Sequence, residues 1–418
     1  MVIMRGLPGS GKSYIVSKLE EMYGKSCIVC SADQYFCKNG IYRFERSKLD
    51  YAHKFCQEKA ERVCRMSTPV VIIDNTNVRR WEMDFYRELA HREGYIQLFV
   101  EPKTPWKFDP EVLASKNSHG IATEMLQRRL EQWELVHPLY FGWFLNHCDS
   151  LNFLIIAKVF LENCMKVEKF FTEFQEHLIL SNCRDIYSYY SMTHNSRQPL
   201  MLHCTAKFCG SKQQEAQVYL EQGVVQKAYG AVFELGIVGF VITPSTFGAR
   251  VSLTKDELEL WCQNDYNSVP PLQQGLDALS GGLKTPRQGM TGAPNRGSSE
   301  LNNGWNFIPP CSSCIPTLCT LSNESLIGSS RFQPVQGRGK RAHITLGLAS
   351  GSKAVQTGFD LLEAVELESK CGDSVESFSL LGGVLRSYGE GMWIVYLDRP
   401  MLVNGLFSFY VGGSSHME

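Results

Sequence analysis

Apolar positions in the first third of the chain fall in short solid runs at 2–5, 26–30, 69–74 and 95–100, the third reading Pro-Val-Val-Ile-Ile-Asp. Runs of that kind, without polar alternation, are typical of strands buried on both faces of a parallel sheet. Between them, at 12–22, 46–66 and 79–93, apolar residues recur at helical spacing. Alternating strand and helix predict βαβ units, and so an α/β domain with a parallel sheet over residues 1–150. Residues 151–195 carry Phe160, Leu161, Phe170, Phe171, Phe174 and Leu178 at helical intervals and predict a helical connector. After Pro199 the pattern shifts to short strands at 200–205, 231–243, 342–346, 391–397 and 406–410, with helical stretches at 214–229 and 357–367. That mixture predicts an α+β domain with a largely antiparallel sheet over 196–412 and a tail at 413–418.

One stretch keeps neither period. Over 271–330, Gly, Pro, Ser, Asn and Thr supply 32 of 60 residues and only six are charged. The second domain is therefore expected to be interrupted by a disordered insertion at about 264–338. Its Cys311-Ser-Ser-Cys314 lacks the second pair that a zinc site calls for, and Cys27-Ile-Val-Cys30 lies on a predicted buried strand, where packing is the ordinary role.

A length of 418 residues suits two domains at roughly 150 residues each. Lys and Arg number 42 against 43 Asp and Glu, so any nucleic-acid contact must come from a local site and not from a broadly basic surface. The 15 cysteines form no regular framework and no secretory leader precedes them, which points to reduced thiols and a cytoplasmic protein. The apolar run at 151–157 is broken by Lys158 and falls far short of the ~20 residues of a membrane span, so no transmembrane segment is expected.

The sequence Gly6-Leu-Pro-Gly9-Ser10-Gly11-Lys12-Ser13 has the spacing of a P-loop, with a predicted strand before it and a helix after it. The glycines let backbone N–H groups converge on phosphate oxygens, and the helix start adds positive potential. Lys12 then reaches the β/γ-phosphates and Ser13 ligates magnesium, so ATP or GTP with magnesium is the expected occupant. Asp33 follows the second strand and Asp74 ends the third, at the carboxyl ends where parallel sheets bind ligands. Asp33 suits a general base beside an acceptor hydroxyl, and Asp74 a place in the magnesium shell. Arg128, with Arg129 on a helix expected over 121–136, suits a lid over the phosphates. The competing reading is an exposed helix face in which Arg128 pairs with Glu124 or Gln132.

Two H-x-T motifs, His203-Cys-Thr205 and His343-Ile-Thr345, sit inside apolar, strand-like runs. Strand alternation puts each histidine on the same face as its threonine, with Cys204 and Ile344 opposed. Two imidazoles and two hydroxyls on one domain suit metal-free cleavage of a cyclic phosphodiester. One imidazole takes a proton from water, the other gives one to the departing ribose oxygen, and the threonines donate to the phosphate. The spacing does not tell which histidine plays which part.

A P-loop module that resembles polynucleotide kinases, followed by two H-x-T motifs, is similar to the vertebrate myelin-type 2′,3′-cyclic-nucleotide 3′-phosphodiesterase family of the 2H phosphoesterase superfamily. The likeness runs through residues 5–13, 100–104, 138–145, 202–209, 341–347 and 355–358. It implies a 2H-phosphoesterase domain, no cofactor for the hydrolysis, and a 2′,3′-cyclic nucleotide or RNA cyclic-phosphate end as substrate. It further implies His203 as proton acceptor, His343 as donor, Thr205 and Thr345 on the phosphate, Phe208 near the base and Arg341 beside the phosphate. For Phe208, plain core packing is the alternative. Two other functions stay open. One is an end-healing enzyme whose P-loop domain also phosphorylates 5′-hydroxyl ends. The other is a membrane- or tubulin-associated scaffold with vestigial hydrolysis. The chain departs from the family in the insertion that sets the two histidines 140 positions apart, and in ending Ser415-His-Met-Glu418, which is no prenylation signal.

Overall fold

The computed structural model describes residues 1–192, 200–265, 335, 337–372 and 374–412. The cysteine pair at 311–314, the tail and all but the edges of the expected insertion lie outside the described residues.

The first unit runs β1 (Val2–Met4), α1 (Lys12–Tyr23), β2 (Cys27–Cys30), α2 (Asp33–Phe36), β3 (Cys37–Lys38), β4 (Ile41–Tyr42), α3 (Leu49–Arg65), β5 (Val70–Ile73), α4 (Trp81–Arg92), β6 (Leu98–Val100), α5 (Pro110–Lys116) and α6 (Thr123–Leu130). Its main sheet has the order β2-β5-β1-β6 and every pairing is parallel. Ile3, Met4, Val71, Ile72 and Ile73 are wholly buried, which is why these runs show no polar alternation. The order sets β1 between β5 and β6, so the loop after β1 opens at the middle of the sheet edge. The helix expected over 121–136 stops at Leu130. Beyond it, the Glu134 carbonyl accepts from Arg5 and the Glu134 N–H donates to Val78, and these bonds hold the chain out of helix.

The second unit runs β7 (Tyr140–Phe144), α7 (His147–Cys164), α8 (Glu168–Leu180), α9 (Ile186–Tyr189), β8 (His203–Phe208), α10 (Gln213–Leu220), α11 (Gly223–Ala228), β9 (Val232–Ile242), β10 (Thr246–Ser252), α12 (Lys255–Leu260), β11 (His343–Leu348), α13 (Ala354–Cys371), β12 (Ser377–Leu380), β13 (Gly383–Ser387) and β14 (Trp393–Tyr410). Its sheet, in the order β12-β13-β14-β7-β8-β11-β10-β9, is antiparallel throughout and closes on itself because β14 also pairs with β9. The stretches expected at 391–397 and 406–410 are one strand, bent where the register shifts between Tyr396 and Met401. That single strand can therefore serve β13, β9 and β7 in turn.

Two sequence readings are corrected here. Residues 140–144, read as the end of the first domain, form β7 and pair with β8 and β14 of the second sheet, where Phe141 and Trp143 are wholly buried. The expected connector is packed structure of the second unit: Phe153 stacks on Phe240, and Phe170 meets Trp393 edge-on at 5.1 Å. The two units also share a tight seam. Phe99 of β6 stacks on Phe409 of β14 at 5.5 Å, the Phe99 N–H donates to the Tyr229 hydroxyl at 2.8 Å, and the Ser408 hydroxyl donates to the Gln97 carbonyl at 2.7 Å. Among the described residues no helix is long and apolar enough to cross a membrane.

Candidate functional site

The two H-x-T motifs are strands β8 and β11, and these pair antiparallel with Ile344 opposite Cys204. That register sets His343 opposite Thr205 and Thr345 opposite His203, on one face of the sheet. Cys204, Ala206, Ile344 and Leu346 are buried on the other face, while His203, Thr205, His343 and Thr345 are half-buried. Directly opposed residues have Cβ atoms about 5 Å apart, so the four side chains line one cleft with approximate two-fold symmetry. Residues 140 positions apart in sequence thus become neighbours.

Each histidine is held through its own strand. His343 Nδ1 lies 2.8 Å from the Arg341 carbonyl, which can only accept. The Nδ1 proton is therefore fixed, and in the neutral ring Nε2 carries the lone pair. A backbone hydrogen bond to Met201 likewise holds the His203 ring. Burial pushes His343 down to about 4, assisted by the charges of Arg341 and His203 and opposed by that backbone bond. Burial also lowers His203. Without substrate both rings are neutral at pH 7.

Helix α13 closes the cleft on the threonine side. Thr345 Oγ1 donates to Thr357 Oγ1 at 3.0 Å and lies 3.4 Å from the Ala354 carbonyl. The first turn of α13 has no side-chain cap; the Gln356 N–H is taken by the Lys353 carbonyl at 2.9 Å, which leaves the N–H groups of Ala354 and Val355 as donors at that end. Gly358 faces Arg341 and His343 so closely that a Cβ there would stand 2.6 Å from Arg341 Nε and 2.9 Å from His343 Cε1. The Arg341 guanidinium rests over the Phe359 ring at 4.6 Å and donates to the Asn264 carbonyl at 3.3 Å. Buried Asp265 accepts from Trp261 Nε1 and the Gly339 N–H at 2.9 Å, and from the Arg341 N–H at 3.3 Å. The residues at both edges of the expected insertion are thus tied together behind the cleft.

Phe208, for which core packing was an alternative, is 60% exposed at the end of β8. The rings against His203 are instead Tyr140 and Phe144, at 4.9 and 5.4 Å, with Tyr410 in turn stacked on Tyr140 at 5.3 Å. Motif reading gave these residues, Thr357 and Gly358 no role. The run 139–145 is apolar or glycine throughout, so strand spacing puts Tyr140 and Phe144 on one face without saying that a histidine lies against it. The other two lie in the stretch 355–358 that shares in the family likeness, which by itself assigns them no role.

In the first unit, Gly9 has φ +84° and a Cβ there would meet the Leu113 carbonyl at 2.5 Å, so only glycine fits. Gly11 caps α1 in a left-handed conformation. The Ser10 hydroxyl is buried and has no hydrogen-bond partner among the described residues, an arrangement that suits a phosphate oxygen. Burial lowers Lys12, opposed by Asp74 and Asp33; burial raises Asp74, opposed chiefly by Lys12. The loop, Lys12, Asp33 and Asp74 therefore converge, and these residues fit a nucleotide phosphate chain. Ser13 is exposed at the start of α1. Asp33 is exposed too; it accepts from the Tyr42 hydroxyl at 3.2 Å and lies 3.8 Å from His119 Nε2. Leu126 of α6 packs with Leu7 of the loop, which brings that helix beside the phosphate site. Arg128 on α6 is exposed and makes no ion pair among the described residues, whereas Arg129 faces Glu82 at 3.9 Å.

With this geometry in place, the likeness to known proteins is specific. A family model described as 2′,3′-cyclic nucleotide 3′-phosphodiesterase matches residues 137–280 and 327–418, and one described as an AAA domain matches residues 1–137. The chain is similar to 2′,3′-cyclic-nucleotide 3′-phosphodiesterase of Rattus norvegicus, 32% identical across 99% of this chain and 83% of that protein. The Mus musculus protein of the same name is 31% identical over the same shares. The first unit alone is 42% identical over 134 residues to NEDD4-binding protein 2 of Homo sapiens, covering 32% of this chain and 8% of that protein.

Proposed function

The chain belongs to the 2′,3′-cyclic nucleotide 3′-phosphodiesterase family, a family of hydrolases, and from that premise we propose that it opens 2′,3′-cyclic phosphates, on free nucleotides or RNA ends, to 2′-phosphates through its two histidines. The observation that carries this reading is the β8–β11 register, which opposes His203 with Thr345 and Thr205 with His343. His203 takes the proton of a water that attacks phosphorus opposite O3′. The P–O3′ bond breaks, O3′ takes a proton from His343, and a 2′-phosphate with a free 3′-hydroxyl remains. The roles follow the family resemblance. Burial and Arg341 keep His343 neutral in the free chain, so its acid form has to arrive with the phosphate, whose charge offsets that of Arg341. Thr205 and Thr345 donate to the non-bridging oxygens as charge builds there.

Hydrolysis of 2′,3′-cAMP in the presence of a chelator, with the product identified by phosphorus NMR, tests the reading. His203→Ala and His343→Ala should each lose about 10²–10⁴-fold in kcat/KM. A folded parent chain that leaves the substrate intact, or yields the 3′-phosphate, refutes it.

The first unit is proposed to bind ATP or GTP with magnesium, on the support of the orphan Ser10 hydroxyl and the Lys12–Asp74 pair. Lys12 would hold the β/γ-phosphates, Ser13 and Asp74 the magnesium shell, and Arg128 would cover the phosphates from α6. Bound there, the nucleotide would supply a transferable phosphoryl group. Asp33, within reach of the Lys12 charge, favours a second reading in which a 5′-hydroxyl end is the acceptor. Transfer of labelled phosphate to a 5′-hydroxyl oligonucleotide, abolished by Asp33→Asn, tests it.

A further inference from the structure

The two motif strands meet over a short stretch. Among the described residues β8 and β11 pair at Ile344 and Cys204 alone, yet the opposition of the histidines and threonines rests on that pair. Residues 262–265, which follow α12, reach both strands beyond it. The Cys262 N–H donates to the Ala206 carbonyl of β8 at 2.9 Å, and Gln263 Nε2 donates to the Thr205 carbonyl at 3.5 Å. On the other side, the Asn264 carbonyl accepts from the Arg341 guanidinium and Asp265 accepts from the Arg341 N–H, both at 3.3 Å. Arg338 adds a further tie, with Nη2 donating to the Trp261 carbonyl at 2.6 Å. The segment is thus a strap between the end of one motif strand and the entry to the other.

Asp265 is the centre of that strap. Its carboxylate is buried, a costly state unless donors surround it, and three N–H groups do so. Oδ2 accepts from Trp261 Nε1 and from the Gly339 N–H, and Oδ1 accepts from the Arg341 N–H. The Oδ1 bond bears on the chemistry, because Arg341 serves His343 twice. Its carbonyl holds His343 Nδ1 at 2.8 Å, and its guanidinium charge acts on the same ring. Burial disfavours that guanidinium charge, and the Asp265 carboxylate offsets the penalty. Backbone, side chain and charge of Arg341 are therefore all set from 264–265. We propose that Asp265 is a positioning residue of the cleft, fixing Arg341 and, through the Arg341 carbonyl, the ring of His343. It acts through Arg341 and is not a group that meets the substrate. The inference rests on the phosphodiesterase reading and adds to it a residue outside both motifs.

The test is Asp265→Asn in the full chain, read in two ways. The amide keeps the size of the carboxyl but has one accepting oxygen. With that oxygen on Trp261 and Gly339, an NH2 group faces the Arg341 N–H, which loses its acceptor. The first readout is nitrogen NMR of the histidine-labelled chain without substrate, with His343 assigned by the loss of its signals in His343→Asn. The parent should show one tautomer, protonated at Nδ1, and Asp265→Asn an average of both. The second is steady-state hydrolysis of 2′,3′-cAMP. There kcat should fall about 10²-fold, the cost of a misplacement of about 1 Å, with little change in KM. Trp261→Phe removes a different donor from the same carboxylate and should lower Tm while keeping both the tautomer and kcat. A folded Asp265→Asn with the parent's tautomer and kcat, or the same losses in Trp261→Phe, overturns the proposal. If thermal unfolding shows Asp265→Asn to be misfolded, Arg338→Ala decides by the same two readouts. Arg338 is exposed, and loss of its tie to Trp261 should mix the tautomers in part and lower kcat several-fold; no change in either overturns the proposal. A parent chain that leaves 2′,3′-cAMP intact, yet shows the single tautomer and its loss in Asp265→Asn, defeats the phosphodiesterase reading and leaves the positioning role standing.

Discussion

Substituting Gly358 by alanine separates the positioning of the cleft from the stability of the fold. An alanine inside a helix normally stabilises it by about 1 kcal/mol over glycine, and Gly358 lies within α13. Its new Cβ, however, would stand 2.6 Å from Arg341 Nε, 3.2 Å from Arg341 Nη2 and 2.9 Å from His343 Cε1. Relief to ordinary contact, about 3.5–4.0 Å, requires the guanidinium and the imidazole each to move by roughly 1 Å. Neither group is free to do so without loss, because Arg341 is held by Phe359 and the Asn264 carbonyl, and His343 by the Arg341 carbonyl. A misplacement of about 1 Å costs on the order of 10²-fold in rate. Gly358→Ala should therefore lower kcat/KM for 2′,3′-cAMP about 100-fold while Tm stays level or rises. Steady-state kinetics and calorimetry on the same preparation read the two effects. Parent-like kcat/KM would refute the claim that α13 sets the positions of Arg341 and His343. A parallel fall in Tm and activity would mean that the residue acts through packing instead.

Thr357→Val removes the hydroxyl that Thr345 Oγ1 meets at 3.0 Å while nearly keeping the shape. It should cost about tenfold in kcat with little change in KM, and an effect on KM alone would speak for ground-state binding. His343 has a value of about 4 in the folded chain against 6.5 ordinarily, so between those pH values the unfolded chain binds more protons. The stabilising contribution is complete above pH 6.5 and is lost as pH falls toward 4, by up to roughly 3 kcal/mol, with the lowered His203 acting in the same direction. Urea unfolding of His343→Asn should show a flatter stability profile over that window, and an unchanged slope would remove His343 as its source. Tyr229→Phe leaves the buried Phe99 N–H at the seam between the units without its acceptor, 2.8 Å away in the parent. A loss of about 1–3 kcal/mol in denaturant unfolding is expected.

Periodicity and short spacings were enough to reach the parallel sheet of the first unit, the antiparallel sheet of the second, the phosphate loop and the two H-x-T faces. Each of these is a statement about residues a few positions apart, where backbone geometry leaves little choice. The solid run 69–74 becomes β5, buried on both sides, and Cys204 and Ile344 turn away from their histidines as alternation requires. What periodicity cannot express is the fit between distant surfaces. Whether His203 faces Thr345 depends on one register between β8 and β11, and a slip of one residue would turn either motif to the buried side. The same holds for Tyr140 and Phe144. Residues 140–144 fall inside the expected bounds of the first domain with no element assigned to them, and pairing with β8 and β14 puts these rings against His203. Gly358 is legible only once α13 lies across β11, because an absent Cβ has meaning solely through what would occupy its place. Sequence by itself determined which chemical groups this protein carries and which way each turns on its own strand. Tertiary packing alone decided which of them meet, since that rests on complementary surfaces far apart in the chain.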